Sequence, residues 1–160
     1  MPWGILLLYG GGMSLAKAFE SSGLAIWIGN QLNALGSFDL IVLLVLLVGA
    51  INFLTEVTSN LATTAMLLPV LAPIALEFDL HPFVLMAAAA IAASCAFMLP
   101  VATPPNAVVF GSGYLRIPDM VRKGFFLNLI SVVTIVLMVY YLLPILWDLV
   151  PEKFPAELLN

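Results

Sequence analysis

The chain has 160 residues, of which 63% are hydrophobic and 9% charged, and a mean hydropathy of +1.15, whereas about a quarter of an ordinary soluble domain is charged. So few charges exclude a water-soluble surface, and five Lys and Arg against nine Asp and Glu, net -4, exclude a nucleic-acid face. A lone cysteine, Cys95, excludes an intramolecular disulfide. His81 stands alone beside a proline and no metal-ligand cluster accompanies it, so the expectation is a non-enzymatic protein.

The start, Met1-Pro2-Trp3-Gly4, lacks the basic residues that open a signal peptide. Pro2 to Phe19 reads as a membrane helix whose Gly10-Gly11-Gly12 permits close packing against a neighbour. Ser21-Ser22-Gly23 breaks it. Leu24, Trp27, Ile28, Leu32 and Leu35 then recur at helical spacing among Asn30, Gln31 and Asn33, which predicts a short interfacial helix with Trp27 at the headgroups.

Residues 36–79 read as apolar arm, polar tip, apolar arm. Leu40 to Leu54 is apolar apart from Asn52, then Thr55, Glu56, Thr58, Ser59, Asn60, Thr63 and Thr64 follow closely, and a second apolar stretch runs through Pro69 and Pro73 to Glu77 and Asp79. Turning backbone at membrane depth requires protein or a water-filled cavity to satisfy its polar groups. A re-entrant hairpin with its tip in a binding cavity meets that requirement.

Residues 80–115 read as a broken transmembrane helix. An alanine-rich helix, Phe83 to Leu99, meets Pro100-Val101-Ala102-Thr103-Pro104-Pro105-Asn106 before apolar residues resume at Ala107. Prolines lack the amide hydrogen and obstruct winding, so the helix opens here, freeing carbonyls and the first amides of the second half. Residues 116–160 then comprise a basic loop with Arg116, Arg122 and Lys123, a last span over Phe125 to Leu149, and a short tail. The positive-inside rule puts that loop in the cytoplasm and the C-terminus outside, which places Asp39 and Asp79 outside as well. Lys17 reaches its interface by snorkelling.

Two constellations carry the chemistry: Thr55-Glu56-Val57-Thr58-Ser59-Asn60 at the tip and Ala102-Thr103-Pro104-Pro105-Asn106 at the break. Hydroxyls, an amide oxygen and unwound carbonyls suit sodium, while a carboxylate ligand wants amide and hydroxyl donors and a helix N-terminus. The competing structural reading is that these residues only cap half-helices. A carboxylate at membrane depth costs several kcal/mol, so Glu56 is either a hydrogen-bonded strut under the tip, the favoured reading, or a proton-coupling group.

The stretch Trp3-Gly4-Ile5-Leu6-Leu7-Leu8-Tyr9-Gly10-Gly11-Gly12, the tip Thr58-Ser59-Asn60 and, above all, the run from Ser94 to Val109 resemble the divalent anion:sodium symporter family, the solute carrier 13 type. The resemblance covers only the second of that family's two inverted repeats. It implies an all-α integral membrane fold, one inverted-repeat half of a secondary transporter in the cell membrane, with a missing N-terminal repeat. It implies sodium-coupled symport of a di- or tricarboxylate anion of the succinate, malate or citrate type across the lipid bilayer, by a homodimer in the complete carrier. Residues 1–35 would be scaffold and connecting helix, and the rest largely the mobile domain. By the same resemblance Thr55, Ser59, Asn60 and Ala102 would surround a transported sodium ion, and Asn60, Thr103 and Pro104 would face the substrate. The family's third tip residue is often Thr and here is Leu61, although Ala62-Thr63-Thr64 keeps the region polar. Two alternatives stand beside this: a related anion permease, proton-coupled through Glu56, and an inactive truncated relative.

Overall fold

A computed structural model describes residues 39–155 without interruption, together with scattered positions between Leu7 and Trp27. The expected helix over Pro2 to Phe19 and the interfacial helix from Leu24 to Leu35 lie largely outside the described residues. Every regular element among the described residues is helical. In chain order they are α1 (Leu40–Leu54), α2 (Asn60–Glu77), α3 (Pro82–Ser94), α4 (Pro104–Gly111), α5 (Ile117–Leu137), a π-helical segment (Met138–Leu142) and α6 (Leu143–Trp147).

Each start has a local cause. The Asp39 carboxylate accepts from Ile41 N at 3.1 Å and caps α1. At α3 the His81 Nδ1 accepts from Phe83 N at 3.3 Å, and Pro82 occupies the first turn, where a missing amide hydrogen costs nothing. In α5 the Asp119 carboxylate accepts from Arg116 N at 3.4 Å. α2 ends where Asp79 enters the left-handed region at φ 51°.

The core is organised around α3. Its buried residues fall into two i, i+4 rows, Val84-Ala88-Ala92 and Leu85-Ala89-Ala93, and it packs against both α1 and α2. Alanine at most of these positions lets the backbones approach closely. α1 contributes Leu40, Leu44, Val48 and Ile51, a buried stripe at helical spacing, and α5 with its π-helical extension contributes Val132, Ile135, Val136 and Val139. α5 through α6 runs continuously from Ile117 to Trp147, long and apolar enough to span a bilayer, as is α2; α1 and α3 are shorter.

One end of this bundle gathers the base of the α1–α2 pair. Leu40 lines a pocket with Tyr140, Pro144, Val150 and Pro151. The His81 amide donates to Pro151 O at 2.9 Å, and Phe154 N donates to the Asp79 carboxylate at 3.1 Å. Phe83 stacks edge-on against Trp147. The start of α1 and the end of α2 therefore sit together, and residues 55–59 turn at the far end of both helices.

Three boundaries differ from expectation. α3 ends at Ser94, five residues before the expected Leu99 and ahead of Pro100, so the prolines do not open the helix; side chains from the α1–α2 turn capture the backbone first, as described below. Arg122 and Lys123 stand in the second turn of α5 and not in a loop, because Pro118 and Asp119 already nucleate the helix at Ile117. The last helix reaches its end through a π-helical segment, in which Leu143 N donates to Met138 O. That segment ends two residues before Pro144, whose ring would otherwise press on the carbonyl of Tyr140.

Gly124 is the contact on which α5 closes against the unwound segment after α3. A Cβ there would lie 2.4 Å from Phe97 O and 2.6 Å from Met98 Cα, both backbone atoms. We expect Gly124→Ala to destabilise the protein by about 1–3 kcal/mol, the usual cost of forcing an extra carbon into packed structure. A lowered melting temperature of the purified protein in detergent checks this, and an unchanged one would show that the segment yields freely.

Candidate functional site

The site is built where the α1–α2 turn meets the nine residues between α3 and α4. Glu56 is 4% exposed. Its Oε1 accepts from Phe97 N at 2.7 Å, Met98 N at 3.0 Å and Asn128 Nδ2 at 2.8 Å, and its Oε2 accepts from Met98 N at 3.0 Å and Leu99 N at 3.1 Å. A buried carboxylate costs several kcal/mol unless its oxygens are satisfied. Here both oxygens are, by three consecutive backbone amides that left the helix ladder when α3 unwound.

Neighbouring amides complete the clamp. Asn52 Nδ2 donates to Cys95 O at 2.7 Å and to Ser131 Oγ at 3.0 Å. Asn106 Nδ2 donates to Ala96 O at 3.0 Å and Leu99 O at 3.1 Å. Asn52 and Asn128 are fully buried, and their amide oxygens take no donor among the described residues. Both side chains are therefore held as donors, one to a carbonyl and one to a carboxylate. With these bonds made, the break divides into two parts. The segment Cys95–Leu99 is tied down by Asn52, Glu56 and Asn106, while the carbonyls of Pro100, Val101 and Ala102 receive no hydrogen bond from the described residues.

Of these three residues, Val101 and Ala102 belong to one wall of a cavity of about 400 Å³ lined by Val57, Thr58, Ser59, Asn60, Leu61, Val101, Ala102 and Pro104. Of the residues expected to hold sodium, Ser59, Asn60 and Ala102 line this cavity together. Thr55, fully buried, lies beneath it: its Oγ1 is 2.6 Å from Asn60 Oδ1 and 2.8 Å from Ala93 O. A hydroxyl has one proton and can donate to only one of these oxygens. The meeting of three neutral oxygens is a donor set that a monovalent cation can use.

Of the residues expected to face the substrate, Asn60 and Pro104 line the cavity. Thr103 does not; it borders a neighbouring apolar groove with Leu99, Pro100 and Phe110, and its Oγ1 accepts from Asn106 N at 3.4 Å as the cap of α4. That cap bears on the expected free amides of the second half-helix. Pro104 and Pro105 have no amide hydrogen, Asn106 N goes to Thr103 Oγ1, and Ala107 N goes to Thr103 O. The first turn of α4 thus offers an anion no N–H, a correction with a simple cause in the two prolines. The first turn of α2 does offer them: Ser59 makes no side-chain capping bond, and the first amides of a helix have no intrahelical acceptor. Those amides, beside Asn60 and Leu61, give the cavity an electropositive end.

Thr63 and Thr64 do not substitute for the hydroxyl missing at Leu61. Thr58 Oγ1 donates to Leu54 O at 2.9 Å and meets Thr63 Oγ1 at 2.7 Å, and Thr64 Oγ1 donates back to Asn60 O at 2.8 Å. Leu61 itself is 59% exposed on the cavity wall. The sequence reading passed over Asn128 and Gly124 and noted Asn52 only as an exception. The available signal was an uncharged amide in each of two apolar runs, where a polar side chain is expensive without a partner.

This is the core of an all-helical, multi-pass membrane protein with a polar site where a turn between helices meets an unwound segment. A model of the family described as the sodium:sulfate symporter transmembrane region matches residues 1–148, and the chain belongs to that family. It is similar to the sodium-dependent dicarboxylate transporter SdcS of Staphylococcus saprophyticus, 50% identical over 144 residues, covering 90% of this chain and 28% of that protein. Against SdcS of Staphylococcus aureus strain MRSA252 it is 51% identical over 145 residues, covering 91% of this chain and 28% of that protein. The chain thus spans little more than a quarter of the length of these relatives.

Removing Asn128 would leave the buried Glu56 carboxylate one donor short, and a bond to a charged group is worth about 1.5–3 kcal/mol. We expect Asn128→Ala to destabilise by that amount, and the Asn128→Ala/Glu56→Gln pair to be non-additive by about 0.5–3 kcal/mol in a double-mutant cycle of unfolding in detergent. Additive losses would mean that the two side chains do not share a bond in solution.

Proposed function

We propose that this chain is the C-terminal half of a sodium-coupled symporter for di- or tricarboxylate anions, carrying one of the carrier's sodium sites and one wall of its substrate site. The observation that carries this reading is the single cavity where Asn60, the amide end of α2 and the residues Val101 and Ala102, whose carbonyls are unpaired among the described residues, meet. Neutral oxygens able to hold a cation and N–H donors able to hold an anion line it together. Membership of the sodium:sulfate symporter family and the name of the SdcS relatives support the pairing of sodium with a dicarboxylate. The engagement of both Glu56 oxygens as acceptors supports the strut reading over proton coupling.

In this reading Thr55, Ser59, Asn60 and Ala102 carry the sodium ion, and Asn60 and Pro104 face the substrate. Thr103 acts on the site through its cap on α4. Leu61 supplies an apolar wall. The remaining repeat supplies the opposite wall, and the complete carrier is a homodimer in the cell membrane. Residues 1–35 serve as scaffold and connector.

The α1–α2 pair is a re-entrant hairpin whose ends face outside, as does the C-terminus, and α3 with α4 is a discontinuous membrane helix. Lengths support this. α1, of 15 residues, rises about 22 Å at 1.5 Å per residue, and its tip meets Asn128, with about 16 Å of α5 still to run to Ile117. A hairpin that stops short of the far end of a spanning helix dips in without crossing. Single cysteines at Ser37 and Asp79, in a background lacking Cys95, should both react with an impermeant thiol reagent added outside. Labelling of one alone would sink the re-entrant arrangement.

Function is tested in proteoliposomes containing the complete carrier, by uptake of succinate across a sodium titration. Asn60→Ala should abolish uptake, because its amide can serve a cation through oxygen and a carboxylate through nitrogen at once. Leu61→Thr should retain uptake and reorder affinities among competing dicarboxylates, since a hydroxyl bonded to a carboxylate adds about 1.5–3 kcal/mol. Unchanged sodium dependence in Asn60→Ala would reject the shared-ligand role.

A further inference from the structure

The two sides of α5 differ in kind. One side meets the bundle through Gly124, Asn128 and the buried Val132 and Ile135. On the other, Phe126, Ile130, Val133, Leu137, Tyr141 and Ile145 follow one another at intervals of three or four residues, and each is more than half exposed. Thr134 lies in the same stripe, but its hydroxyl is already spent on Ile130 O at 2.8 Å. Helix contacts within a bilayer favour small residues, as at Gly124 and along α3, whereas this stripe holds no Gly, Ala or Ser. Its composition suits lipid tails better than a second helix.

The stripe is also bounded as a bilayer requires. Arg122, one turn before Phe126, is exposed and forms no ion pair among the described residues. From there to Tyr141 the helix rises about 28 Å at 1.5 Å per residue, close to the roughly 30 Å of a hydrocarbon core. Tyr141 and, beyond it, the exposed Trp147 are side chains of the type that settles at the far headgroups. Charge sorts with the same two ends. Arg116, Arg122 and Lys123 stand at the start of α5 beside a single acid, Asp119, whose carboxylate accepts from the Arg116 amide. Around the opposite end stand Asp39, Glu77, Asp79, Asp148 and Glu152, with Lys153 as the cation among them.

We propose that this side of α5 faces lipid, and that Arg122 seats the phosphate of an anionic phospholipid in the leaflet at the start of the helix, with Arg116 and Lys123 adding to the local positive field. That leaflet is the cytoplasmic one in the orientation proposed above, and its surface is the negative one. Arginine fits the task, because its planar guanidinium pairs a phosphate through two N–H donors while its apolar stem lies along a helix surface.

The experiment uses the complete carrier, purified in detergent and mixed with phosphatidylglycerol or phosphatidylcholine, with bound lipid measured by native mass spectrometry. Transport is not read, so the outcome is independent of the symport reading, and detergent makes it independent of orientation. The parent should hold phosphatidylglycerol in preference to phosphatidylcholine. Arg122→Gln should weaken phosphatidylglycerol binding about fivefold, the equivalent of the roughly 1 kcal/mol that one cation contributes at an anionic lipid surface. Arg122→Lys should retain most of the binding, and Lys153→Gln, at the other end, should leave it unchanged. Equal binding of the two lipids by the parent, or undiminished phosphatidylglycerol binding by Arg122→Gln, overturns the headgroup site. The face itself is tested by a nitroxide on Val133→Cys, in a background lacking other cysteines, in vesicles of phosphatidylglycerol and phosphatidylcholine. Relaxation by oxygen and not by a water-soluble nickel complex is expected. Protection from both marks a protein partner on this face and overturns the proposal.

Discussion

The arrangement depends on one ion-dipole contact: a buried carboxylate surrounded by backbone amides that have no helix to belong to. Neither partner is tolerable alone. Glu56 without donors is a buried charge, and Phe97–Leu99 without acceptors is unwound backbone with its amides unsatisfied. Each removes the other's penalty, so the turn after α1 and the end of α3 are obligatory neighbours. α5 joins them through Asn128 and Gly124. Three elements distant in sequence are thereby fixed at one depth, and the cavity is the space left on the other side of their junction.

This division of labour separates the groups that build the site from those free to bind. Asn52, Glu56 and Asn106 bond to the backbone of the unwound segment, and Asn128 donates to the Glu56 carboxylate. Ser59, Asn60, Val101 and Ala102 line the cavity. Thr55 stands between the two sets, bonded to the α3 carbonyl of Ala93 and to the side chain of Asn60. A polar residue in an apolar run is therefore no guarantee of ligand contact. The most deeply buried amides here, Asn52 and Asn128, do not line the cavity.

Much of this was legible in the sequence. Composition alone required a membrane protein, and the alternation of apolar arms with a polar tip located the turn at Thr55–Ser59. Pro100, Pro104 and Pro105 located the break. The end of α3 was missed because prolines are conspicuous and hydrogen bonds across 40 residues are not: Pro100 marks where a helix cannot continue, but Asn52 and Glu56 decide where it stops. The expectation of free amides at α4 failed on the chemistry of Pro104 and Pro105 themselves. Asn128 and Gly124 were silent because each acquires meaning only through a neighbour in space.

The π-helical segment Met138–Leu142 makes the last helix unequally tolerant of sequence change. Its wide turn lies just ahead of Pro144, and beyond it Phe83 and His81 meet Trp147 and Pro151. Five residues of π-helix turn through about the same angle as four of α-helix, so loss of one residue within this segment would restore ordinary winding and leave everything downstream facing as before. One residue lost elsewhere along the helix would instead rotate everything downstream by roughly 100°, one residue's share of a 3.6-residue turn, and unhook the tail from the base of the α1–α2 pair. A change of length that is ruinous along the rest of the helix is absorbed at these five positions.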